Sequence, residues 1–376
     1  MATFGLTRAD IFATIERVID NLIEINDTEA RYLLKLPDGR VIDTKGWVTG
    51  WEWTHGIGLY GLWQLYSIDP SDKTEHVIKC WYDCQLPKGT TKNINTMAVF
   101  LTMACMYENK DTTCPSYVYF LNEWAEWAMN ELPRTKYGGF QHITYLEENK
   151  DELWVDTLMM TVLPLAKIGI VLNRPHYVEE AKKQFLLHIQ YLQDKTTGLF
   201  FHGWKFVDGD EASQGHNFVK AKWARGNAWI TIAIPEILEM LDLPTNDHFR
   251  VYLLDVLRAQ CKALKRLQAA NGMWRTLLDI PTQEGSYEEA SATAGFAYGL
   301  LKAVRKGYIG AEYKETGLKG VKAVLDHIGP NGELRAVSFG TGMGHTLKHY
   351  KDIPLTSMPY GQAMAIMALG EFLKVN

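Results

Sequence analysis

The stretch Glu152-Leu-Trp-Val-Asp156-Thr-Leu-Met-Met160 holds the residue best suited to do chemistry. Leu153, Leu158, Val162 and Leu165 recur at helical spacing, so the segment reads as the opening of a helix. Asp156 then falls in or near the first turn, with Met159 and Met160 three and four residues on. A carboxyl group in such apolar company loses solvation, which raises its pKa. A raised pKa is what a carboxylic acid needs to donate a proton near neutral pH. Trp154 offers a flat face on which a sugar ring can stack. Asp in a first turn also stabilises the helix dipole, so the rest of the chain has to decide between the two roles.

Other segments carry unusual polar and aromatic residues: Trp51-Glu-Trp53-Thr-His55, Asn93-Ile-Asn95-Thr96, Trp223-Ala-Arg225-Gly-Asn227-Ala-Trp229, Glu288-Glu289-Ala-Ser291 and Met358-Pro-Tyr360-Gly-Gln362. Arg225, flanked by Trp223 and Trp229, is suited to fork onto a carboxylate, or else to satisfy helix-end carbonyls. Asn93 and Asn95 can cap the helix that follows them. Glu289 is either a first-turn dipole residue or a second carboxylate. His142 and His202 each follow a glycine turn. No Walker loop, dinucleotide fingerprint or zinc spacing is present. The expected chemistry is proton transfer by side chains, without metal or cofactor. His76, Cys80 and Cys84 share one helical stripe, which reads as buried rather than metal-binding.

These segments need elements to carry them. The apolar periodicity gives about a dozen helices and almost no long strands, over 7–25, 50–68, 72–84, 96–108, 115–131, 153–172, 175–193, 225–241, 246–270, 290–306, 310–328 and 360–374. Pro235 is expected to kink the eighth. A turn recurs around Gly39, Gly89, Gly139, Gly198, Gly272 and Gly332, and each leads into a short extended stretch. Recurrence at roughly 50 to 75 residues marks a repeat architecture, here a helical hairpin plus a loop. Six hairpins can close into a ring that hides both apolar faces without capping repeats; an open superhelix is the alternative. The chemically unusual segments open every second helix. In a ring those helices run the same way, so their N-termini gather at one mouth, where helix dipoles favour an anionic ligand. No Pro/Ser/Gly-rich linker interrupts the chain, so one domain is expected over 1–376.

Composition excludes several classes. The chain is 47% hydrophobic and 22% charged with a formal charge of −5, which leaves no basic footprint for nucleic acid. No apolar run is long enough to span a membrane. Met1 to Asp20 lacks a basic region followed by an apolar run. Five scattered cysteines do not form a disulfide framework. The protein reads as cytoplasmic, a monomer or weak homo-oligomer. Its 12 Trp and 18 Tyr suit both a large core and carbohydrate binding.

Gln141-His-Ile, Glu152-Leu-Trp-Val-Asp156-Thr-Leu-Met, Phe201-His-Gly-Trp204, Trp223-Ala-Arg-Gly-Asn227, Glu289-Ala-Ser-Ala-Thr-Ala-Gly295 and Met358-Pro-Tyr-Gly-Gln362 together resemble glycoside hydrolase family 105, the unsaturated rhamnogalacturonyl hydrolases. The resemblance covers nearly the whole chain. It implies an all-α fold, an (α/α)6 barrel of six hairpins, and a substrate left by a pectin lyase that ends in a 4,5-unsaturated galacturonic acid. It implies vinyl-ether hydration, with Asp156 protonating ring carbon 4 and then serving as base while water adds at carbon 5. His142, His202, Arg225 and Trp229 match positions lining the sugar pocket, and Trp53, Asn95 and Trp154 complete the expected binding set. Asn93 or Asn95 stands near where unsaturated glucuronyl hydrolases carry a second aspartate, a departure that favours pectin over glycosaminoglycan. The rivals are another (α/α)6 enzyme (an unsaturated glucuronyl hydrolase, an inverting glucosidase or a sugar epimerase) and a non-catalytic sugar-binding scaffold. An inverting enzyme needs two carboxyls well separated across the site, and Glu289 is the obvious second candidate.

Overall fold

Thr7 opens the first helix with a reciprocal cap, its side chain accepting from Asp10 N at 3.2 Å while Asp10 accepts from Thr7 N at 2.7 Å. That helix, α1, runs Arg8–Glu24. The computed structural model describes residues 4–209 and 214–376. The remaining long helices are α2 Trp53–Tyr66, α3 Asp72–Gln85, α4 Phe100–Glu108, α5 Tyr117–Asn130, α6 Leu163–Val171, α7 Pro175–Leu192, α8 Ala224–Leu241, α9 His248–Leu267, α10 Ala290–Arg305 and α11 Lys314–His327. A short α12, Leu347–Lys351, precedes α13, Pro359–Val375.

Two kinds of helix alternate. Those such as α2 and α13 are buried around almost their whole circumference, which places them inside. Those such as α1 and α9 bury one stripe, for example Ile11, Ile15, Val18, Ile19 and Leu22 of α1, and turn charges to solvent. The inner helices α2, α4, α6, α8, α10 and α13 touch one another in that order, and α13 returns to α2. The ring is therefore closed, and the open superhelix is excluded. Outer helices α3, α5, α7, α9 and α11 each pack behind the inner helix that precedes them, while α1 packs behind α13 and completes the sixth pair. This is the expected (α/α)6 barrel.

Close helix approach needs small residues. A Cβ on Gly299 of α10 would lie 2.3 Å from the Thr231 carbonyl oxygen of α8. The expected glycine turns form with positive φ at Gly39, Gly89, Gly198, Gly272 and Gly332; in the third, Gly138 rather than Gly139 takes that conformation. Gly332, at φ 81°, also sits against the Arg17 carbonyl of α1, where any side chain would collide.

Two expectations need correction. The helix expected over 153–172 begins late: Glu152–Trp154 is instead a strand, β3, paired antiparallel with β4, Gly203–Phe206, which pairs in turn with β5, Gly215–His216. After β3 the chain turns at Val155, is helical from Asp156, widens into one π-type turn over Leu158–Val162 and continues as α6, so Asp156 does stand in the first helical turn. Leu153 is buried because it faces the barrel from a strand, so an apolar position was right and its period was wrong. The His76–Cys80–Cys84 stripe does not face the core, since α3 buries Ile78, Trp81 and Tyr82 while His76 and Cys84 are exposed.

Twelve residues into α8, α10 and α13, about 18 Å along the axis from their N-termini, the barrel holds buried charge. Glu236 accepts from Tyr60 at 2.7 Å and from Tyr298, and pairs with Lys302 at 2.6 Å. Lys302 also reaches Glu239 at 2.6 Å, and Arg305 pairs with Glu371.

Candidate active site

The N-terminal ends of the inner helices border a cavity of about 710 Å³. Glu52 and Trp53 come from the start of α2, Asn95 from the turn before α4, Asp156 and Met160 from the approach to α6, Trp223 from the residue before α8 and Met358 from the residue before α13. The loop of residues 144–150, β3, Lys205 of β4 and the glycine-rich segment Phe339–Met343 form the rest of the wall. The helix starts thus meet at one mouth, as the spacing of the polar segments implied. Glu289 is not among the lining residues. Its carboxylate accepts from Ser291 N, Ala292 N and Ser338 N, and so caps α10. That disposes of it as the second carboxyl of an inverting glycosidase.

Asp156 is largely buried, its side chain 15% exposed. Trp229 donates its indole N–H to Oδ1 at 3.1 Å, and Nε2 of His202 lies 3.3 Å from Oδ2. His202 is fixed from behind, its Nδ1 2.7 Å from the Tyr350 hydroxyl. Burial pushes the Asp156 carboxyl upward, but the hydrogen bond from His202 and the fields of His202, His142 and Arg225 override it and hold the group below the ordinary carboxylate range. The expected rise is therefore reversed: the residue is ionised. The apolar neighbours predicted from Met159 and Met160 are present, but His202, His142 and Arg225 outweigh them, and His202 and Arg225 arrive from distant segments.

The other expected site residues separate into two groups. Trp53, Asn95, His142 and Trp154 line the cavity. His142 stacks on Trp154 with ring centroids 4.2 Å apart, which covers one face of that indole, and contacts Thr157 Oγ1 at 2.8 Å. Burial drives His142 down to about 3, so it is neutral. Trp53 stacks on Tyr360 at 4.5 Å. Between the two asparagines, Asn95 faces the cavity, while Asn93 Oδ1 accepts from Asn95 N and Thr96 N as a cap. His202 and Trp229 stand one layer back and act on Asp156.

Arg225 differs from the carboxylate fork anticipated for it. It is 0% exposed, and its terminal nitrogens donate to Ser338 O at 2.9 Å, Ser338 Oγ at 2.6 Å and Phe339 O at 2.9 Å. The guanidinium packs over Trp223 at 4.6 Å and Tyr360 at 4.8 Å. It tethers the segment that closes one wall, and its charge reaches Asp156 as a field.

Sequence reasoning assigned no role to Glu52, Glu152, Lys205 or the Phe339–Met343 wall. Glu152 accepts from Trp154 Nε1 at 2.9 Å and pairs with Lys205 at 3.1 Å. Glu52 lay between two tryptophans in a segment already marked as unusual, and that was its available signal. The Gly340-Thr-Gly342 run signalled a loop but not what it covers.

The family model for Glycosyl Hydrolase Family 88 matches residues 24–376. This chain belongs to that family, and it is a glycoside hydrolase. It is similar to the unsaturated rhamnogalacturonyl hydrolase YesR of Bacillus subtilis (strain 168), with 31% identity over 330 residues, 87% of this chain and 90% of that protein. Among solved structures it is similar to one from Salmonella enterica subsp. enterica serovar Paratyphi A str. ATCC 9150, described as a possible member of the GH105 family. The two are 56% identical with a TM-score of 0.94, covering 98% of this chain and 95% of that one. A structure from Klebsiella pneumoniae subsp. pneumoniae MGH 78578, described in the same words, is 53% identical with a TM-score of 0.93, covering 100% of this chain and 95% of that one. The resemblance to family 105 read from the motifs therefore stands. No helix among the described residues is long and apolar enough to cross a membrane.

Proposed function

We propose that this protein removes the terminal 4,5-unsaturated galacturonic acid from rhamnogalacturonan oligosaccharides left by a pectin lyase, hydrating the vinyl ether. The reading rests on a buried carboxylate, Asp156, held by His202 and Trp229 beside a cavity with aromatic walls, in a chain 31% identical to an unsaturated rhamnogalacturonyl hydrolase. Protonation at carbon 4 leaves positive charge shared between carbon 5 and the ring oxygen. Water adds at carbon 5, the resulting hemiketal opens, and the neighbouring sugar leaves. Asp156 is the carboxyl at the reacting atoms. Its ionised form suits the half of the cycle that takes a proton from water; to give a proton it must first gain one. The uronate of the substrate favours that gain, because a second negative charge nearby raises a carboxyl pKa. Trp53 and Trp154 hold the sugar ring, with Asn95 and His142 as polar contacts and Arg225 supporting the wall. The same reading places the protein in the cytoplasm as one catalytic domain, a monomer or weak homo-oligomer.

Unsaturated uronides absorb in the near ultraviolet and hydration bleaches the band. The native chain is expected to bleach lyase-cut rhamnogalacturonan, and Asp156→Asn to do so at least about a hundredfold more slowly, the scale of a lost acid–base group. An inert native protein would remove the reading, and undiminished activity in the variant would remove the role of Asp156.

A further inference from the structure

Asp156 can hand a proton to the sugar only if no nearer base takes it. The nearest is His202, whose Nε2 lies 3.3 Å from Asp156 Oδ2. A bare imidazole nitrogen, with an ordinary pKa of about 6.5, binds a proton far more readily than a vinyl carbon does. Whether Nε2 is bare is set by the hydrogen bond that Nδ1 makes. Nδ1 faces the Tyr350 hydroxyl at 2.7 Å. Tyr350, in α12, is 0% exposed, and its oxygen accepts from Gly344 N at 3.1 Å. A hydroxyl has one proton to give. The two acceptors in reach are His202 Nδ1 and the Met343 sulfur, the latter at 3.7 Å. A thioether is the weaker acceptor, so the proton of Tyr350 goes to Nδ1. A ring nitrogen that accepts carries no proton of its own. The single proton of the ring is therefore on Nε2, where it faces Asp156. The opposite tautomer would send the tyrosine proton to sulfur and set the Nε2 lone pair against a carboxylate. The ring has little room to turn away. His202 N donates to Ala221 O at 3.0 Å, its carbonyl receives Val155 N at 3.0 Å, and Trp223 and Trp154 pack on the ring at 4.5 and 5.3 Å.

We propose that Tyr350 is a positioning residue for this reaction: it holds His202 as a donor at Nε2, so that a protonated Asp156 finds no acceptor there and gives its proton to the substrate. This rests on the vinyl-ether reading above. In the step, the O–H bond of Asp156 breaks and the carbon 4–carbon 5 π pair takes the proton at carbon 4. The new carboxylate is met by the N–H groups of His202 and Trp229. A water oxygen bonds to carbon 5 and its proton returns to Asp156. His202 keeps its own proton throughout. The other titratable groups acting on this pair are His142, His349 and Arg225. Burial holds both of those histidines down, so neither brings a positive charge at neutral pH. Burial pushes the Tyr350 hydroxyl up, so it keeps the proton it shares with Nδ1. Gly344 directly follows the Phe339–Met343 wall, so the segment that borders the cavity also helps to hold the tautomer.

The test reads the ring nitrogens directly. With isotope-labelled histidine in the full chain, proton–nitrogen NMR spectra at neutral pH separate a bare ring nitrogen from a protonated one, and the His202 signals are those lost in His202→Gln. The native chain is expected to show Nδ1 bare and Nε2 protonated. Asp156→Asn removes the carboxylate charge and should keep that pattern, because Tyr350 still sets it. Adding Tyr350→Phe to Asp156→Asn should give a mixture of the two tautomers. In the bleaching assay Tyr350→Phe alone should lose about tenfold in kcat, the scale of one lost hydrogen bond, with KM within about twofold of native. A glutamine at 202 offers a fixed acceptor to Tyr350 and a fixed donor to Asp156, so His202→Gln should turn over at least about tenfold faster than His202→Leu. A native spectrum with the proton on Nδ1 overturns the proposal, and so does a tautomer that ignores Tyr350→Phe in the Asp156→Asn chain. A Tyr350→Phe variant with native kcat overturns it as well. An inert native chain that shows the bare Nδ1 overturns the vinyl-ether reading, and with it the purpose given to the tautomer, but not the tautomer itself.

Discussion

Trp229 donates its indole N–H to Asp156 Oδ1. A hydrogen bond to the charged form lowers a carboxyl pKa, so removing the donor must raise it. Trp229→Phe keeps most of the ring and deletes the N–H. A hydrogen bond worth about 0.5–1.5 kcal/mol corresponds to roughly 0.4–1.1 pKa units. The acid limb of the pH–rate profile should move upward by that amount, with kcat/KM near neutrality little changed; a profile superimposable on the native one would show that the indole does not tune Asp156. Asp156 was legible in the sequence because its segment is distinctive. Its protonation state was not, because the groups that set it lie 46 and 73 residues away along the chain. Arg225 was legible as special for the same reason, yet its partners at 338 and 339 come from a loop whose course only the fold reveals. Glu52 was given no role from the sequence, because its place as the cap of α2 at the cavity wall appears only in the fold.

Inner helices give this barrel its site at one end and its buried charge at the other. The Glu236–Lys302 pair ties α8 to α10, and Tyr60 brings in α2. Such a pair is weak evidence of stability while both partners are present, but removing one leaves an uncompensated charge at a cost of about 3–5 kcal/mol. Lys302→Met should therefore lower the free energy of unfolding by about that much in a denaturant titration, and Lys302→Met with Glu236→Leu should recover a large part of it. A single variant as stable as the native chain would mean that water or Glu239 relieves the charge. Helix boundaries were legible to within a few residues, as at Thr7, the cap of α1, and at Asp72, the first residue of α3 after its cap Ser71. β3 was not. Its three residues owe their conformation to pairing with Gly203–Phe206, some 50 residues on, and a short strand buried on both faces mimics the start of a helix whose apolar positions follow.

Ring closure is the property of the whole molecule on which the site depends, because a pocket built from the ends of five of the six inner helices holds its geometry only if the ring is pinned. The seam joins the two ends of the described chain. Arg8 donates to Leu373 O at 2.9 Å, Gln362 donates to Asn21 Oδ1 at 2.8 Å and receives Leu334 N at 2.8 Å, and Ile11, Ile15, Val18 and Leu22 fill the space behind α13. Six glycine turns were enough to infer a ring from the sequence, yet the pairing of the first helix with the last could not be read from spacing, since no turn connects them. Ile15 is 0% exposed in this seam and is not a cavity residue. Ile15→Ala should cost about 2–5 kcal/mol in denaturant unfolding, with kcat per folded molecule unchanged in the bleaching assay. A smaller loss, below about 1 kcal/mol, would mean that α1 is an appendage rather than the twelfth helix of the barrel. A fall in kcat at full folding would mean that slack at the seam travels through α13 to Met358 and Tyr360, and so to the wall that Arg225 holds.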